Sequence, residues 1–267
     1  EYMFLEDVKI IENIQIADNY YLMRVEGDKM SQHSKPGQFF MLQCKDRSRV
    51  LRRPISLHNV DGNILEFYYE SLGKGTKEFT KLSIGETINI QGPLGNGYDT
   101  DLEGKNIIVI GGGMGMAPIK YLIKNLKDNN DITFIGGGKN AGAVKIMEKF
   151  DFENIKLKVT TDDGSVGIKG NTVDILKEIL KSQNKKIDII YTCGPHPMMM
   201  AVAKIAQENN IRCQVSLEER MACGIKACVG CSILTKKGMK KVCYDGPVFE
   251  STDIVDVDMV DPNGGCN

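Results

Sequence analysis

The chain predicts a small closed β-barrel, then a parallel α/β sheet covered on both faces, then a short tail organised by cysteines. Three observations carry this. Residues 1–100 hold six short β-branched or aromatic runs without helical periodicity. Residues 101–217 alternate apolar strands with helical stretches. Residues 218–267 have little regular pattern but contain a cysteine run of distinctive spacing.

The barrel strands are expected at 7–16, 20–26, 37–43, 54–60, 63–70 and 87–91, with turn residues such as Asp61-Gly62 between them. Closing six antiparallel strands into a barrel removes the bare sheet edges. The pattern then changes. An apolar strand at 106–110 runs into Gly111-Gly112-Gly113-Met114-Gly115 and a helix at 117–126. A strand at 132–135 ends in Gly136-Gly137-Gly138 and leads to a helix at 143–150. Strands at 157–161, 187–192 and 213–217 alternate with helices at 172–181 and 198–209. Strands that are apolar throughout belong to a parallel sheet with helices on both sides.

Composition bounds the function. The 267 residues are 42% hydrophobic and 26% charged, ordinary values for a globular protein. A formal net charge of −1 gives no basic field for nucleic acid. No run of 18 apolar residues predicts a membrane span, and no signal-peptide pattern opens the chain. A cytoplasmic, reducing setting is expected, with thiols rather than disulfides.

Cys223, Cys228, Cys231 and Cys243 are spaced C-x4-C-x2-C with a fourth Cys about a dozen residues on. That is the plant-type [2Fe–2S] spacing. Structural zinc more often takes two tight pairs separated by a longer span. Gly224 and Gly230 suit a loop that bends round a cluster and aims amide N–H groups at sulfur. Cys44, Cys193, Cys213 and Cys266 fall outside the pattern, and Cys44 and Cys213 read as small core residues.

The glycine run 111–115 sits where a strand turns into a helix, a place that presents backbone N–H groups to a pyrophosphate. A turn shaped only by packing is the competing reading. Loops at Thr160-Thr161-Asp162-Asp163-Gly164 and Cys193-Gly194-Pro195 fall on the same carboxyl edge of the sheet, where ligands bind in open α/β sheets. In the barrel, Arg52-Arg53-Pro54-Ile55-Ser56 opens a strand, and Gly73-Lys74-Gly75-Thr76 forms an N–H-rich turn. An Arg fork can take a phosphate bidentately, although an exposed Arg and an ordinary turn would read the same way.

In this order, R-P-I-S, G-K-G-T, G-G-G-x-G, C-G-P and the cysteine tail resemble the ferredoxin–NADP reductase superfamily. Leu217-Glu218-Glu219-Arg220-Met221-Ala222-Cys223-Gly224 and Cys243-Tyr244-Asp245-Gly246-Pro247-Val248-Phe249 are similar to the electron-transfer subunits of type B dihydroorotate dehydrogenases. The resemblance spans essentially the whole chain. It implies a flavin-binding barrel (1–100), an NAD-binding α/β domain (101–217) and a small [2Fe–2S] domain (218–267). It implies that Arg53, Pro54, Ile55 and Ser56 hold FAD, with Tyr68, Tyr69 and Glu70 beside the flavin and Gly75 and Thr76 on its pyrophosphate. Gly111, Gly112, Gly113, Gly115, Asp162, Cys193, Gly194 and Pro195 would line NAD(H), with Cys193 and Ser56 nearest the hydride path. Cys223, Cys228, Cys231 and Cys243 would bind the cluster. The wider superfamily has an aromatic residue where Ile55 stands.

The resemblance also implies a partner: an FMN-containing dihydroorotate dehydrogenase catalytic subunit, in a heterotetramer serving pyrimidine biosynthesis. Nothing in this chain resembles a dihydroorotate site. Electrons would cross from that subunit to the cluster, pass to FAD and leave as hydride on NAD⁺. Asp162 and Asp163 favour NADH over NADPH, since carboxylates near the ribose repel a 2′-phosphate; Lys139 argues the other way. Three alternatives stay open: the small subunit of an electron-bifurcating NADH-dependent ferredoxin:NADP oxidoreductase, a stand-alone NADH:acceptor reductase, and a zinc-stapled nucleotide-sensing module. In the bifurcating family an Asp replaces one Cys ligand, whereas this chain offers four Cys.

Overall fold

The computed structural model describes residues 2–46, 48–182 and 185–255. Cys266 and the rest of 256–267 lie outside the described residues. Six strands form the barrel: β1 (Phe4–Ala17), β2 (Tyr20–Glu26), β3 (Phe39–Leu42), β4 (Arg53–Asp61), β5 (Ile64–Glu70) and β6 (Thr87–Leu94). They close in the order β1-β2-β5-β4-β3-β6 with every pair antiparallel. Ile10, Met23, Phe40, Leu42, Leu57, Phe67 and Tyr69 fill the interior. The Phe40 and Phe67 rings meet edge to face at 5.3 Å. Two short helices that the periodicity did not reveal, α1 (Asp28–His33) and α2 (Lys74–Phe79), follow β2 and β5. Six residues are too few for a 3.6-residue repeat to register.

The second layer alternates as expected: β7 (Asn106–Gly112), α3 (Ile119–Leu126), β8 (Asp131–Gly138), α4 (Ala141–Val144), β9 (Ile155–Thr161), β10 (Ile168–Lys169), α5 (Thr172–Ser182), β11 (Ile189–Cys193), α6 (His196–Glu208) and β12 (Arg212–Ser216). The tail adds a hairpin, β13 (Ser232–Thr235) and β14 (Gly238–Lys241), and then β15 (Val248–Glu250). The sheet order is β10-β9-β8-β7-β11-β12-β15, parallel except for β15. The helix expected at 143–150 is instead α4 followed by a 3-10 turn over Lys145–Lys149. Asn140 starts α4 early by accepting a hydrogen bond from the Ala143 N–H at 3.1 Å. Gly142 weakens the short run that follows. The tail is also more regular than its sequence suggests, because β15 borrows its hydrogen bonds from β12.

Strand β7 shows why Ile107 to Ile110 are all apolar. Ile107 and Val109 face Ile119, Leu122 and Ile123 of α3, on the side toward the barrel. Ile108 and Ile110 face Val202 and Ile205 of α6 and, further on, Cys231 and Cys243 of the tail. Both faces of the sheet are therefore occupied.

Helix α3 fastens the sheet to the barrel. The His58 Nδ1–H donates to the Ala117 carbonyl at 2.7 Å. Lys120 Nζ meets Glu66 Oε2 at 2.7 Å, and Arg24 Nε lies 3.3 Å from Glu66 Oε1. Burial alone would raise the Glu66 carboxyl, but the Lys120 hydrogen bond and the nearby positive charges hold it below its usual range. Burial, with the Lys120 charge, pushes the His58 imidazole down to about 4. Both groups bind fewer protons when folded than when unfolded, so acid costs stability. The His58 contribution is present in full above about pH 6.5 and is lost as pH falls toward 4; Glu66 adds to the loss below the usual carboxylate range. Lys120→Met is expected to lower stability by about 3 kcal/mol, because it leaves a buried carboxylate with Arg24 as its one charged partner among the described residues. Thermal melts from pH 7 to 4.5 check this: the mutant should be weaker at neutral pH, and the gap should narrow as Glu66 protonates.

Candidate functional site

Strands β3 and β4 build the first part of the site. Their register pairs Phe39 with Ser56, Phe40 with Ile55, Met41 with Pro54 and Leu42 with Arg53. Side chains opposite one another share a face. Phe40, Leu42 and Ile55 belong to the barrel core, so Phe39, Met41, Pro54 and Ser56 form a stripe on the outer face. Ile55 packs into the barrel core, so its side chain is turned away from the stripe and only its backbone borders it. Tyr69 also points inward, donating its hydroxyl to Asn13 Oδ1 at 3.1 Å. Alternation explains both: Ile55 and Leu57 of β4, and Leu65, Phe67 and Tyr69 of β5, fill the barrel at every second position.

Tyr68 faces outward and is buried beneath the sheet domain. Its ring stacks on Tyr20 at 5.9 Å, and its Oη has no hydrogen-bond partner among the described residues. Burial raises its phenol above the usual range. Glu70 ends the same strand, half-buried. At the barrel rim, Arg53 Nη1 donates to the Leu51 carbonyl at 2.5 Å, and a Cβ on Gly75 would strike the Arg53 guanidinium. Arg53 and the G-K-G-T turn, distant in sequence, are thus packed together. Thr76 serves the turn itself: its Oγ1 accepts from the N–H of Leu72 at 3.0 Å and of Gly73 at 3.2 Å. The packed guanidinium, the open turn and the unpartnered Tyr68 hydroxyl suit a flavin nucleotide lying along this rim, at the Pro54–Ser56 end of the stripe.

The second part is the carboxyl edge of the sheet. Cys193 is in register with Gly111 on one side and Ser216 on the other. A Cβ on Gly115 would strike the Cys193 carbonyl, and one on Gly112 would lie 2.6 Å from Met198 Sδ. These glycines are needed for close packing between the two loops. Gly113 differs: its φ is +53° and nothing lies within 4 Å of where a Cβ would be. The tip of the loop is open, as a pyridine nucleotide would require. Gly194 and the exposed Pro195 border it. Desolvation, with the Glu218 charge nearby, pushes the Cys193 thiol up to about 12, so it stays protonated. Asp162 is exposed on the β9 loop, whose N–H donates to the Gly138 carbonyl at 3.0 Å. Asp163 is consumed in its own turn, accepting from Ser165 N at 2.9 Å and Oγ at 2.6 Å. Asp163 is held in its turn through Oδ1, which leaves Asp162 the freer of the two carboxylates to face a ribose.

The third part is the cysteine loop. The Cys228 N–H donates to Cys223 Sγ at 3.3 Å. Backbone N–H groups of Gly230 and Cys223, with the Cys223 thiol, hold the Cys228 thiol down to about 7. Burial pushes Cys243 up to about 11, offset in part by the Lys226 N–H and raised further by the neighbouring Cys231. The hydrogen bond joins Cys228 to Cys223, and Cys231 acts most strongly on Cys243, with Cys223 also near enough to act on it, so the sulfurs group two and two within one loop. Among the described residues no three His, Cys, Asp or Glu side chains close on one metal ion. A single zinc gathers all four sulfurs about one point. Four thiolates shared between two irons need two pairs instead, so this donor set fits a [2Fe–2S] centre. The loop itself is exposed at Ile225, Ala227 and Val229, with Val229 73% accessible.

Sequence reasoning missed Met41 and Asn96. Asn96 Nδ2 donates to the carbonyls of Tyr244 and Asp245, each at 3.0 Å, and so clamps the segment after Cys243 to the barrel. A signal for Met41 was present. Phe39-Phe40-Met41-Leu42 is apolar at every position, and a barrel strand with one face in water should alternate.

A barrel with a flavin-type rim, an open glycine loop on a parallel sheet and a paired-cysteine loop define an iron–sulfur flavoprotein reductase. Comparison with known proteins agrees. The "Oxidoreductase FAD-binding domain" family matches residues 7–98, and the "Iron-sulfur cluster binding domain of dihydroorotate dehydrogenase B" matches 218–255. A protein of Clostridium acetobutylicum named "Dihydroorotate dehydrogenase B (NAD(+)), electron transfer subunit" is 38% identical, over 92% of this chain and 96% of its own. One of Caldanaerobacter subterraneus with the same name is 37% identical, over 92% and 97%. A structure described as the "NADH-dependent reduced ferredoxin-NADP oxidoreductase" has a TM-score of 0.83 at 27% identity, covering 93% of this chain and 89% of that one. The chain belongs to the family of dihydroorotate dehydrogenase B electron transfer subunits. No helix among the described residues is long and apolar enough to cross a membrane.

Proposed function

We propose that this chain carries electrons between NAD(H) and a separate catalytic subunit that oxidises dihydroorotate, using its own FAD and [2Fe–2S] cluster. The single observation that carries this is the outer stripe of β3 and β4: the flavin-type residues Pro54 and Ser56 share a face with Phe39 and Met41, which pack into the same core as Cys231 and Cys243. When bound, FAD exchanges the two-electron hydride of a nicotinamide for the one-electron traffic of the cluster.

The chain's own residues do the rest. Arg53 and the backbone of the Gly75 turn would take the flavin pyrophosphate. Ser56 presents a hydroxyl beside the stripe. The open tip at Gly113 and the loop Cys193-Gly194-Pro195 would orient the nicotinamide nucleotide. Cys193 stays a neutral thiol, so it adds no charge where hydride passes. Cys223, Cys228, Cys231 and Cys243 would bind the irons. The proposed units are the barrel at 1–100, the sheet at 101–217 and the cluster domain at 218–267, which lends β15 to the sheet. The relatives are named electron transfer subunits, which implies a catalytic partner; we propose that the partner carries FMN and that the assembly is a heterotetramer in the cytoplasm. The likeness to the NADH-dependent reduced ferredoxin-NADP oxidoreductase structure supports a second reading, as a subunit of such an enzyme. Four cysteine ligands and the higher identity to the dihydroorotate relatives favour the first.

The test uses Val229, exposed on the cysteine loop. An apolar residue this accessible suits the centre of an interface. Val229→Glu is expected to leave NADH-dependent dye reduction and iron content intact and to abolish electron exchange with the dihydroorotate-oxidising subunit. Exchange at the wild-type rate would place the interface elsewhere. Exchange with a ferredoxin alone would favour the second reading.

A further inference from the structure

We propose that Met41 is a positioning residue for electron exchange: it seats the cysteine loop on the outer stripe of β3 and β4 and so sets the separation of the two redox groups. This rests on the function proposed above. Met41 is fully buried although it lies outside the barrel wall. What covers it is the cysteine loop. Gly224, next to Cys223, has a φ of +68°, and a Cβ there would stand 2.7 Å from Met41 Cγ and 3.0 Å from Sδ. Gly224 thus serves twice: it permits the left-handed turn, and it lets the Met41 chain lie flat against the loop backbone. In the other direction Met41 pairs with Pro54, in the strand that carries Arg53 and Ser56. One side chain therefore spans from the loop that would hold iron to the strand that would hold flavin.

A second tie fixes the far side of the loop. The Asn96 N–H donates to the Gly246 carbonyl at 2.6 Å, and its side chain holds the Tyr244 and Asp245 carbonyls. Asn96 follows β6, which pairs with β3. Both ties come from adjacent strands of the barrel, so the cluster domain is referenced to the flavin stripe rather than to the sheet alone. Electron tunnelling falls steeply with distance and with loss of packed atoms, so a flexible but well-filled contact is the feature to vary. Methionine fills such irregular gaps well.

The test compares Met41→Ala, Met41→Val and Met41→Leu in the full chain. Each is first assayed for iron, FAD and the magnetic resonance spectrum of the dithionite-reduced protein. Stopped-flow mixing with NADH then follows two signals. Hydride delivers two electrons, seen as bleaching of the flavin band; one of them moves on, seen as loss of the iron–sulfur band. In Met41→Ala, with full cofactor content, the first signal should keep its wild-type rate. The second should slow by about ten- to a hundredfold, the scale on which an ångström of misplacement acts. Met41→Leu should restore it. A wild-type second phase in Met41→Ala, or equal slowing of both phases, overturns the proposal. If Met41→Ala loses iron or FAD, Met41→Val is read in its place; loss of cofactor there too makes the residue merely structural and also overturns it. Absence of iron or FAD from the wild-type protein would refute the function proposed above instead.

Discussion

Cys228→Ser is expected to abolish the iron–sulfur centre. Wild-type protein prepared without oxygen should carry about two iron atoms and two labile sulfides per chain, and the mutant close to none. Cys228 is half of the Cys223–Cys228 pair, and Gly230 and Cys223 aim backbone N–H groups at its sulfur. A hydroxyl there is a poorer and harder donor, and the remaining thiols cannot close the second iron. The structural consequence should be local. Metal binding supplies folding energy to the loop 223–231, which is packed at Gly224 and Cys231 but exposed over most of 225–230. Beyond it, β15 is held by β12, and Val242 and Phe249 lie in the main core. Amide exchange should therefore rise in 223–231 and change little at 248–250. This is narrower than loosening of the whole tail, the outcome its sequence alone would suggest. Stoichiometric zinc without iron in the wild type would contradict the assignment.

Arg53→Ala is expected to weaken FAD binding by about ten- to a hundredfold, from the loss of one charge-assisted bond worth roughly 1.5–3 kcal/mol. The Arg53 fork is already anchored: Nη1 is held by the Leu51 carbonyl and the guanidinium packs on Gly75. A preorganised donor loses little freedom when a phosphate arrives. Lys74 is exposed in the same turn, and its side chain has no such anchor among the described residues. Lys74→Ala should therefore stay within about twofold of wild type, in line with an exposed lysine. Flavin fluorescence released on titrating out FAD reads both values. Equal affinities would remove Arg53 from the site.

Much of this architecture is legible in the sequence because its signals are local. Six short β-branched or aromatic runs give the barrel, and β7 declares a doubly covered strand by being apolar at every position from Ile107 to Ile110. The four cysteines are legible because metal chemistry demands fixed spacing. What the sequence hides is non-local. That Thr76 closes its own turn, or that Asp163 spends its carboxylate on Ser165, depends on backbone geometry only folding reveals. Ile55 and Tyr69 sit within motifs that point to the flavin, yet strand alternation turns both inward. Strand β15 is invisible because its hydrogen bonds are completed by a partner some 35 residues earlier in the chain, Gln214 to Ser216. The contact of Met41 with Gly224 joins two segments whose relation no local pattern encodes.

Electrons that NADH delivers as hydride should pass on singly to an iron–sulfur centre within this one chain. Low-temperature electron paramagnetic resonance of the anaerobic protein, mixed with NADH and frozen, tests it most directly. The expected result is a rhombic [2Fe–2S] signal of about one spin per reduced cluster. It should appear with NADH and without any partner subunit. A flavin that bleaches while the iron–sulfur signal stays absent, although dithionite elicits it, would contradict the account.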